Sequence, residues 1–155
     1  MWGALLIPTT NIGQGFGQML NKEDIILLFL EDPKKLAHEI GEGNVLESDE
    51  IRTLIYDLGD PCYAYRYARY IDKRSTEETR TVACKDSFYA YYYSEFIDNS
   101  PHPDTRQGAC KDSFYAYFYA INIDKSPRSD TRESACKDPE CKKEYEEWEN
   151  SLKKK

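Results

Sequence analysis

Residues 85–94 read Lys-Asp-Ser-Phe-Tyr-Ala-Tyr-Tyr-Tyr-Ser, and the same stretch returns at residues 111–120 with two changes. A more distant copy, Gly-Asp-Pro-Cys-Tyr-Ala-Tyr-Arg-Tyr-Ala, occupies residues 59–68. The shift is 26 residues each time and needs no gap, and Ala-Cys-Lys-Asp recurs at residues 83–86, 109–112 and 135–138. A fixed period between about 20 and 50 residues is typical of repeat proteins. The chain therefore contains three tandem copies of one unit.

Each copy predicts two helices. The first begins after the Asp of Lys-Asp or Gly-Asp, because Asp is a preferred N-cap and Pro61 suits a first helical turn. It continues for about ten to twelve residues and ends in a polar stretch such as residues 99–103. A shorter second helix then carries Thr-Arg-x-x-Ala-Cys to the next copy.

The aromatic run at residues 89–93 is also compatible with a strand. Helical periodicity decides between the two, because at 100° per residue the constant apolar positions share one side: 63, 64, 67 and 71. The most variable positions cluster on the opposite side: 66, 69, 70 and 73. The predicted fold class is all-α, a short α-solenoid of helix-turn-helix repeats with capping helices at both ends.

Three regions follow from this pattern: an acidic N-terminal region with a degenerate repeat (1–58), the three repeats (59–137) and a C-terminal capping helix (138–155). In the first region, Asn21 caps a helix from Glu23 to Glu31 that is apolar almost all round and should be buried, sealing the stack. Asp32-Pro33 and Ser48 each open a further helix, and Gly41 supplies a stop. The last helix has one apolar stripe, at Cys141, Tyr145, Trp148 and Leu152.

Charge and composition exclude several classes of function. The 155 residues carry a net charge of −7, and residues 1–60 hold 11 acidic but only 4 basic side chains, so direct nucleic-acid binding is not expected. No run approaches the roughly 18 apolar residues of a membrane span, which predicts a cytoplasmic protein that binds no membrane. Five cysteines, three of them in register with the repeat, do not predict a disulfide framework.

No catalytic residue, metal site or cofactor is predicted. The two histidines, His38 and His102, are far apart, and the glycine-rich segment 11–17 lacks the Gly-Lys-Ser/Thr ending of a P-loop. The chain is therefore expected not to be an enzyme. The repeated Asp72, Asp98 and Asp124 are each followed eight residues later by Arg, which predicts an ion pair across the turn within each copy.

The variable stripe is the candidate binding surface. It contains aromatic residues and arginines, which are enriched at the centres of protein interfaces, and its candidate partner-binding residues are Arg66, Arg69, Tyr70, Tyr92, Glu95, Phe96, Phe118, Ile121 and Asn122. The expected partner is another protein. The alternative is that the N-terminal segment folds over the stripe as a third layer of core.

The stretches at residues 85–94 and 60–68 resemble a tyrosine- and alanine-rich helical repeat of hypothetical proteins from phages, giant viruses and bacteria. That family's pattern is Lys-Asp-Pro-Tyr-Tyr-Ala-Tyr-x-Tyr-Ala, then Ile-Lys-Gly and a Trp-Pro-Glu turn. Here Ile71-Asp72-Lys73 and its equivalents replace Ile-Lys-Gly, and the Trp is absent. The resemblance covers about half of the chain, implies a helical-repeat fold and favours a viral source, but it implies no activity.

Two hypotheses follow. The first is a non-enzymatic, phage-encoded helical-repeat protein that acts in the host-cell cytoplasm, binding a host or viral protein and inhibiting a host defence or transcription complex. The alternative is a structural subunit whose apolar stripe is permanently buried in a larger assembly.

Overall fold

The computed structural model describes residues 19–154, and these residues are helical throughout apart from turns. The α-helices are α1 (Lys22–Glu31), α2 (Pro33–Gly41), α3 (Asp49–Leu58), α4 (Pro61–Arg66), α5 (Glu77–Ala83), α6 (Ser87–Tyr93), α7 (Pro103–Ala109), α8 (Ser113–Phe118), α9 (Ser129–Ala135) and α10 (Pro139–Leu152). The β-structure in this range consists of one isolated parallel bridge, between Leu20 and Val45. The all-α prediction is confirmed. None of the helices in this range combines the length and apolar character that crossing a bilayer requires.

Aspartates begin the first helix of every copy, as predicted. The carboxylates of four equivalent N-cap residues accept hydrogen bonds from backbone N–H groups of the following turn: Asp60, Asp86, Asp112 and Asp138. The N-terminal region uses the same chemistry, with Asn21 capping α1, Asp32 capping α2 and Ser48 capping α3. Each cap satisfies donors that a helix start otherwise leaves unpaired.

The first helix of each copy changes from α-helix to π-helix halfway along its length. The sequence pattern did not predict this change. The helices α4, α6 and α8 continue without a break as π-helix, at Tyr67–Asp72, Ser94–Asp98 and Tyr119–Asp124. Each π segment ends at a residue in the left-handed conformation, with φ of 52° or 53°: Lys73, Asn99 and Lys125. Because the feature occurs in all three copies, it belongs to the architecture of the repeat.

Replacing Lys125 with glycine is expected to stabilise the protein by about 1 kcal/mol. A side chain at positive φ is strained by Cβ, and glycine adopts this conformation at no steric cost. Urea unfolding followed by circular dichroism measures the change. Lys137→Gly is the control, because Lys137 follows α9 at ordinary φ and glycine there should cost up to about 1 kcal/mol. A loss of stability in Lys125→Gly would contradict the argument.

The helices pack in the order that a stack of repeats requires. First helices of neighbouring copies contact one another, α4 with α6, α6 with α8 and α8 with α10. The second helices lie behind them, where α3 contacts α5 and α5 contacts α7. The degenerate N-terminal copy joins the same order, since α2 packs on α4 and α3 packs on α5. The solenoid stays a prediction, which these contacts support.

A buried tyrosine anchors each second helix to the first helix that follows it. Four tyrosines at or near the 26-residue spacing are completely buried: Tyr67, Tyr93, Tyr119 and Tyr145. Each hydroxyl accepts a hydrogen bond from the backbone N–H of the N-cap residue of the preceding helix, Ser48, Thr76, His102 or Arg128, at 3.0–3.3 Å. Tyr145 occupies this position in α10, so the C-terminal helix packs as the first helix of a further copy.

Repeated ion pairs also join successive copies, but their partners differ from the prediction. Arg52 pairs with Asp72, Arg80 with Asp98 and Arg106 with Asp124. The expected pair across the turn, Asp72 with Arg80, is wrong, because Arg80 and Arg106 donate hydrogen bonds to the aspartate 18 residues later, and Asp72 accepts instead from Arg52, 20 residues before it. The pairs therefore bind neighbouring helices together instead of closing a turn within one copy.

The structure corrects one expectation for the N-terminal region and refines another. Helix α1 is not buried all round, because Ile25 and Leu28 are buried while Ile26 and Leu30 are 39% and 74% exposed. Helix α2 ends at Gly41 as predicted, but the glycine in the left-handed conformation lies two residues later, at Gly43. Gly41 instead makes room for a guanidinium, since a Cβ there would lie 2.5 Å from Nη1 of Arg66.

Candidate protein-binding site

The predicted stripe lies on the outer side of the first helices, where it joins rings that the prediction did not include. We call this surface the aromatic face and define it by one arginine and five rings: Arg69, Phe88, Tyr92, Phe96, Phe114 and Phe118. Three of these rings are strongly exposed, Phe88 at 41%, Phe96 at 43% and Phe114 at 52%. Exposed rings in contact with one another form an apolar patch, which is unlike the scattered apolar residues of an ordinary surface.

Helix α6 and its π extension supply the centre of the aromatic face. Phe88, Tyr92 and Phe96 follow at intervals of four residues and therefore lie on one side of the helix. The Tyr92 ring lies 4.5 Å from the Phe88 ring and 5.7 Å from the Phe96 ring, measured between centroids, and it is parallel to Phe96 within 2°. Each ring is held by its neighbours before any partner binds.

Arg69, from the neighbouring copy, extends this row at one end. Its guanidinium carbon lies 4.1 Å from the centroid of the Phe96 ring and 5.6 Å from that of Tyr70. A cation over a ring face is attracted by the ring quadrupole, at about 0.5–1 kcal/mol when exposed. The contact holds a long, otherwise mobile side chain next to the aromatic face.

Helix α8 supplies the second row. The rings of Phe114 and Phe118 lie 4.4 Å apart, and Phe118 also contacts Tyr91 of the preceding copy at 6.4 Å. Tyr115 joins the two rows, because its ring lies 5.9 Å from Phe88 and 6.0 Å from Tyr91. The aromatic face is thus continuous across two copies of the repeat.

The nine predicted residues divide into three groups. Four of them belong to the aromatic face: Arg69, Tyr92, Phe96 and Phe118. Two more, Arg66 and Tyr70, line a pocket of about 330 Å³ at its edge, together with Gly41, Glu42, Tyr65, Phe88 and Tyr89. The remaining three, Glu95, Ile121 and Asn122, make none of the ring contacts that define the face. Asn122 instead donates a hydrogen bond of 3.0 Å to the hydroxyl of Tyr91.

The N-terminal region covers only one edge of the stripe within the described residues. Helix α2 packs against α4, and Arg66 donates a hydrogen bond of 2.9 Å to the carbonyl oxygen of Ala37. Tyr70 and Phe96 stay exposed. The glycine-rich segment 11–17, for which no role was predicted, lies outside the described residues.

Phe88 and Phe114 are the two residues that sequence reasoning missed. They occupy equivalent positions at the start of α6 and α8, where the other copies have Cys62 and Glu140. Their spacing could have identified them, because Phe88 lies four residues before Tyr92 and Phe114 lies four residues before Phe118. Residues four apart lie on the same side of a helix.

The metal-ligating side chains and thiols of the described residues are not part of the aromatic face. No group of three or more His, Cys, Asp or Glu side chains within residues 19–154 is arranged to hold a metal ion. The five cysteines, all of them in this range, are free thiols. Burial raises the pKa of Cys84 to about 12 and that of Cys110 to about 11. A thiol with so high a pKa is protonated near neutral pH and is a weak nucleophile.

Comparison with models of known protein families, with curated proteins and with solved structures finds no match to this chain. The geometry of the aromatic face is therefore the basis for assigning a function to this chain.

Proposed function

We propose that this chain is a non-enzymatic helical-repeat protein that binds another protein through the aromatic face. The observation that carries the proposal is the contiguous row Phe88, Tyr92 and Phe96, whose outer rings are exposed by more than two fifths although each is fixed by ring contacts. Fully burying one such side chain contributes about 1.5–3 kcal/mol to a complex.

The preorganisation of these rings supports binding over a purely structural role. Ordering a flexible side chain costs about 0.5–1.5 kcal/mol during association, and here neighbouring rings have already restricted the side chains. Aromatic residues together with arginine are the residue types that dominate binding energy at interface centres. Packing between the two layers of helices does not need these rings, because buried tyrosines of the first helices and buried alanines of both layers already hold the stack together.

The double variant Phe88→Ala with Phe96→Ala is expected to lose the partner while keeping its fold. Both side chains are exposed at their outer surfaces, so truncation should weaken binding by at least 100-fold, about 3 kcal/mol, with a much smaller effect on unfolding. Affinity capture from a cell extract, quantified by mass spectrometry, compares the variant with the native chain.

Tyr56→Ala is the matched control for this experiment. Tyr56 is 44% exposed but lies on α3, and its truncation should leave every captured protein bound. If the double variant retains all proteins that the native chain captures, the aromatic face is not the binding surface.

The alternative, a subunit of a larger assembly, is favoured by one separate observation. Ile26 and Leu30, one turn apart on α1, form a second exposed apolar surface at the N-terminal end of the stack. A subunit should self-associate, and Leu30→Glu should then restore the monomer. Sedimentation velocity distinguishes the assembly subunit from the binding protein, because the proposed binding protein is a monomer with or without Leu30→Glu.

A phage source, and inhibition of a host defence or transcription complex, extend the proposal. The first is supported by the resemblance of the repeat and the second by the small size and acidic character of the chain. Identifying the captured partner tests both.

A further inference from the structure

Two half-buried arginines at the edge of the aromatic face, Arg66 and Arg69, differ from the arginines that join successive copies. Arg80, Arg106 and Arg132 each pair with a carboxylate of the next first helix. By contrast, no carboxylate among the described residues lies within 4.0 Å of a nitrogen of Arg66 or Arg69. Residues 1–18 contain no Asp or Glu that could supply one.

Both guanidinium groups are half-buried and held in place by neutral contacts. Arg66 donates to the carbonyl oxygen of Ala37 and packs over Gly41, and Arg69 lies on the ring of Phe96. A guanidinium has five N–H donors, so each of these contacts leaves most of them available. Arg74, which also has no ion-pair partner among the described residues, is exposed in a turn, whereas Arg66 and Arg69 are held by the contacts just described.

The pocket at this edge places Arg66 beside aromatic side chains. Arg66 lines it together with Tyr70 and Phe88, and the guanidinium carbon of Arg69 lies 5.6 Å from the centroid of the Tyr70 ring. Glu42 also lines the pocket, and it is farther than 4.0 Å from the Arg66 nitrogens. Guanidinium and carboxylate groups match in geometry, and the apolar surroundings strengthen their hydrogen bonds.

We infer that the partner presents an acidic, hydrophobic peptide segment, in which an Asp or Glu binds Arg66 and Arg69 while adjacent aromatic or large aliphatic side chains pack on Phe88, Tyr92 and Phe96. This inference rests on the proposed function, because it assigns the chemistry of the partner to the same surface. Charge complementarity decides the assignment, because Glu42 in the pocket wall and the net charge of −7 disfavour a polyanionic nucleic-acid backbone, whereas two positioned guanidinium groups suit a single carboxylate.

A random peptide library, selected for binding to the full chain, tests the inference without knowledge of the natural partner. Peptides that fail to bind Phe88→Ala with Phe96→Ala define the set that uses the aromatic face. We expect these peptides to carry Asp or Glu next to a large apolar residue. Replacing that acid with its amide should weaken binding about 10-fold in the native chain, whereas in Arg69→Gln the replacement should change little.

Two control variants separate charge from structure. Arg69→Lys keeps the charge and should preserve part of the preference for the acidic peptide. Arg74→Gln removes an exposed arginine of the turn after α4 and its π extension, and it should leave the preference unchanged. The melting temperature of each variant is recorded to show that it folds.

The possible failures are distinct. Face-dependent peptides that lack acids, or that tolerate the amide without loss, would overturn this inference and leave the proposed function intact. A selection that yields no face-dependent peptide would overturn both. A single-stranded oligonucleotide that binds the native chain and loses affinity in Arg69→Gln would show that the cations serve nucleic acid and not a protein.

Discussion

Replacing Asp72 with alanine is expected to destabilise the protein by about 3–5 kcal/mol. The Asp72 side chain is completely buried, and its two oxygens accept hydrogen bonds of 2.6 and 2.8 Å from Nε and Nη2 of Arg52. Removing the carboxylate leaves an arginine side chain that is 91% buried, with the exposed Asp49 as its one remaining acidic partner among the described residues. An unpaired buried charge is among the most costly defects that a single substitution can create.

Urea unfolding of the native chain and the variant measures this loss. The double variant Arg52→Met with Asp72→Leu should recover most of the stability, because it removes both charges and fills the space with apolar side chains. Glu50→Ala, which breaks the exposed pair with Lys22, should change stability by less than about 1 kcal/mol. If Asp72→Ala lost no more stability than Glu50→Ala, the pair of Arg52 and Asp72 would not hold neighbouring copies together.

Removing one hydroxyl, in Tyr119→Phe, is expected to cost about 2–3 kcal/mol. The Tyr119 hydroxyl lies within 3.2 Å of four groups: the hydroxyls of Ser94 and Thr105, and the backbone N–H and C=O of His102. The ring is completely buried, so water cannot replace the lost partner. The His102 N–H, which begins α7, would be left without its hydrogen-bond acceptor, and an unsatisfied buried donor costs about 1–3 kcal/mol.

Thermal unfolding and urea unfolding both report this change. Tyr92→Phe is the control, because no hydrogen bond within the described residues involves the Tyr92 hydroxyl, and it should change stability by a few tenths of a kcal/mol. Equal stabilities for the two variants would contradict the role assigned to the buried tyrosine of each copy.

The helices of the repeats were predictable because three copies of one unit can be compared with one another within a single sequence. Positions that stay constant over three copies separated from variable ones on a helical projection. The structure buries the positions of Ala64 and Tyr67 in every copy, whereas those of Tyr63 and Ile71 are buried in the first copy and half-buried in the others. Aspartate caps such as Asp86 were predictable from local chemistry alone. The π extensions were not predictable, because the same periodic pattern fits an α-helix closely over six residues.

The pairing of repeated charges could not be read from sequence spacing. In register, Arg80 is equally compatible with Asp72, eight residues before it, and with Asp98, 18 residues after it. The choice depends on how neighbouring copies are offset, which the structure resolves in favour of Asp98. The exposure of Leu30 on α1 has a similar origin, because within residues 19–154 this apolar helix packs mainly on α2 and α3.

The candidate site was predicted in part. The variable positions led to Arg69, Tyr92, Phe96 and Phe118, which the structure brings together in one face. Phe88 was missed because comparison between copies favours positions that differ in every copy, and its position is Phe in two of them. Sequence differences between the copies therefore identified the binding surface but not all of its residues.

Photo-cross-linking from the aromatic face tests the central claim most directly. A photoreactive phenylalanine analogue replaces Phe96, and in a separate variant it replaces Glu133, which is exposed on α9 in the opposite layer of helices. After irradiation in extract that contains the captured protein, the chain labelled at Phe96 is expected to cross-link to that protein and the chain labelled at Glu133 is not. Cross-links from Glu133 alone would contradict the assignment of binding to the aromatic face.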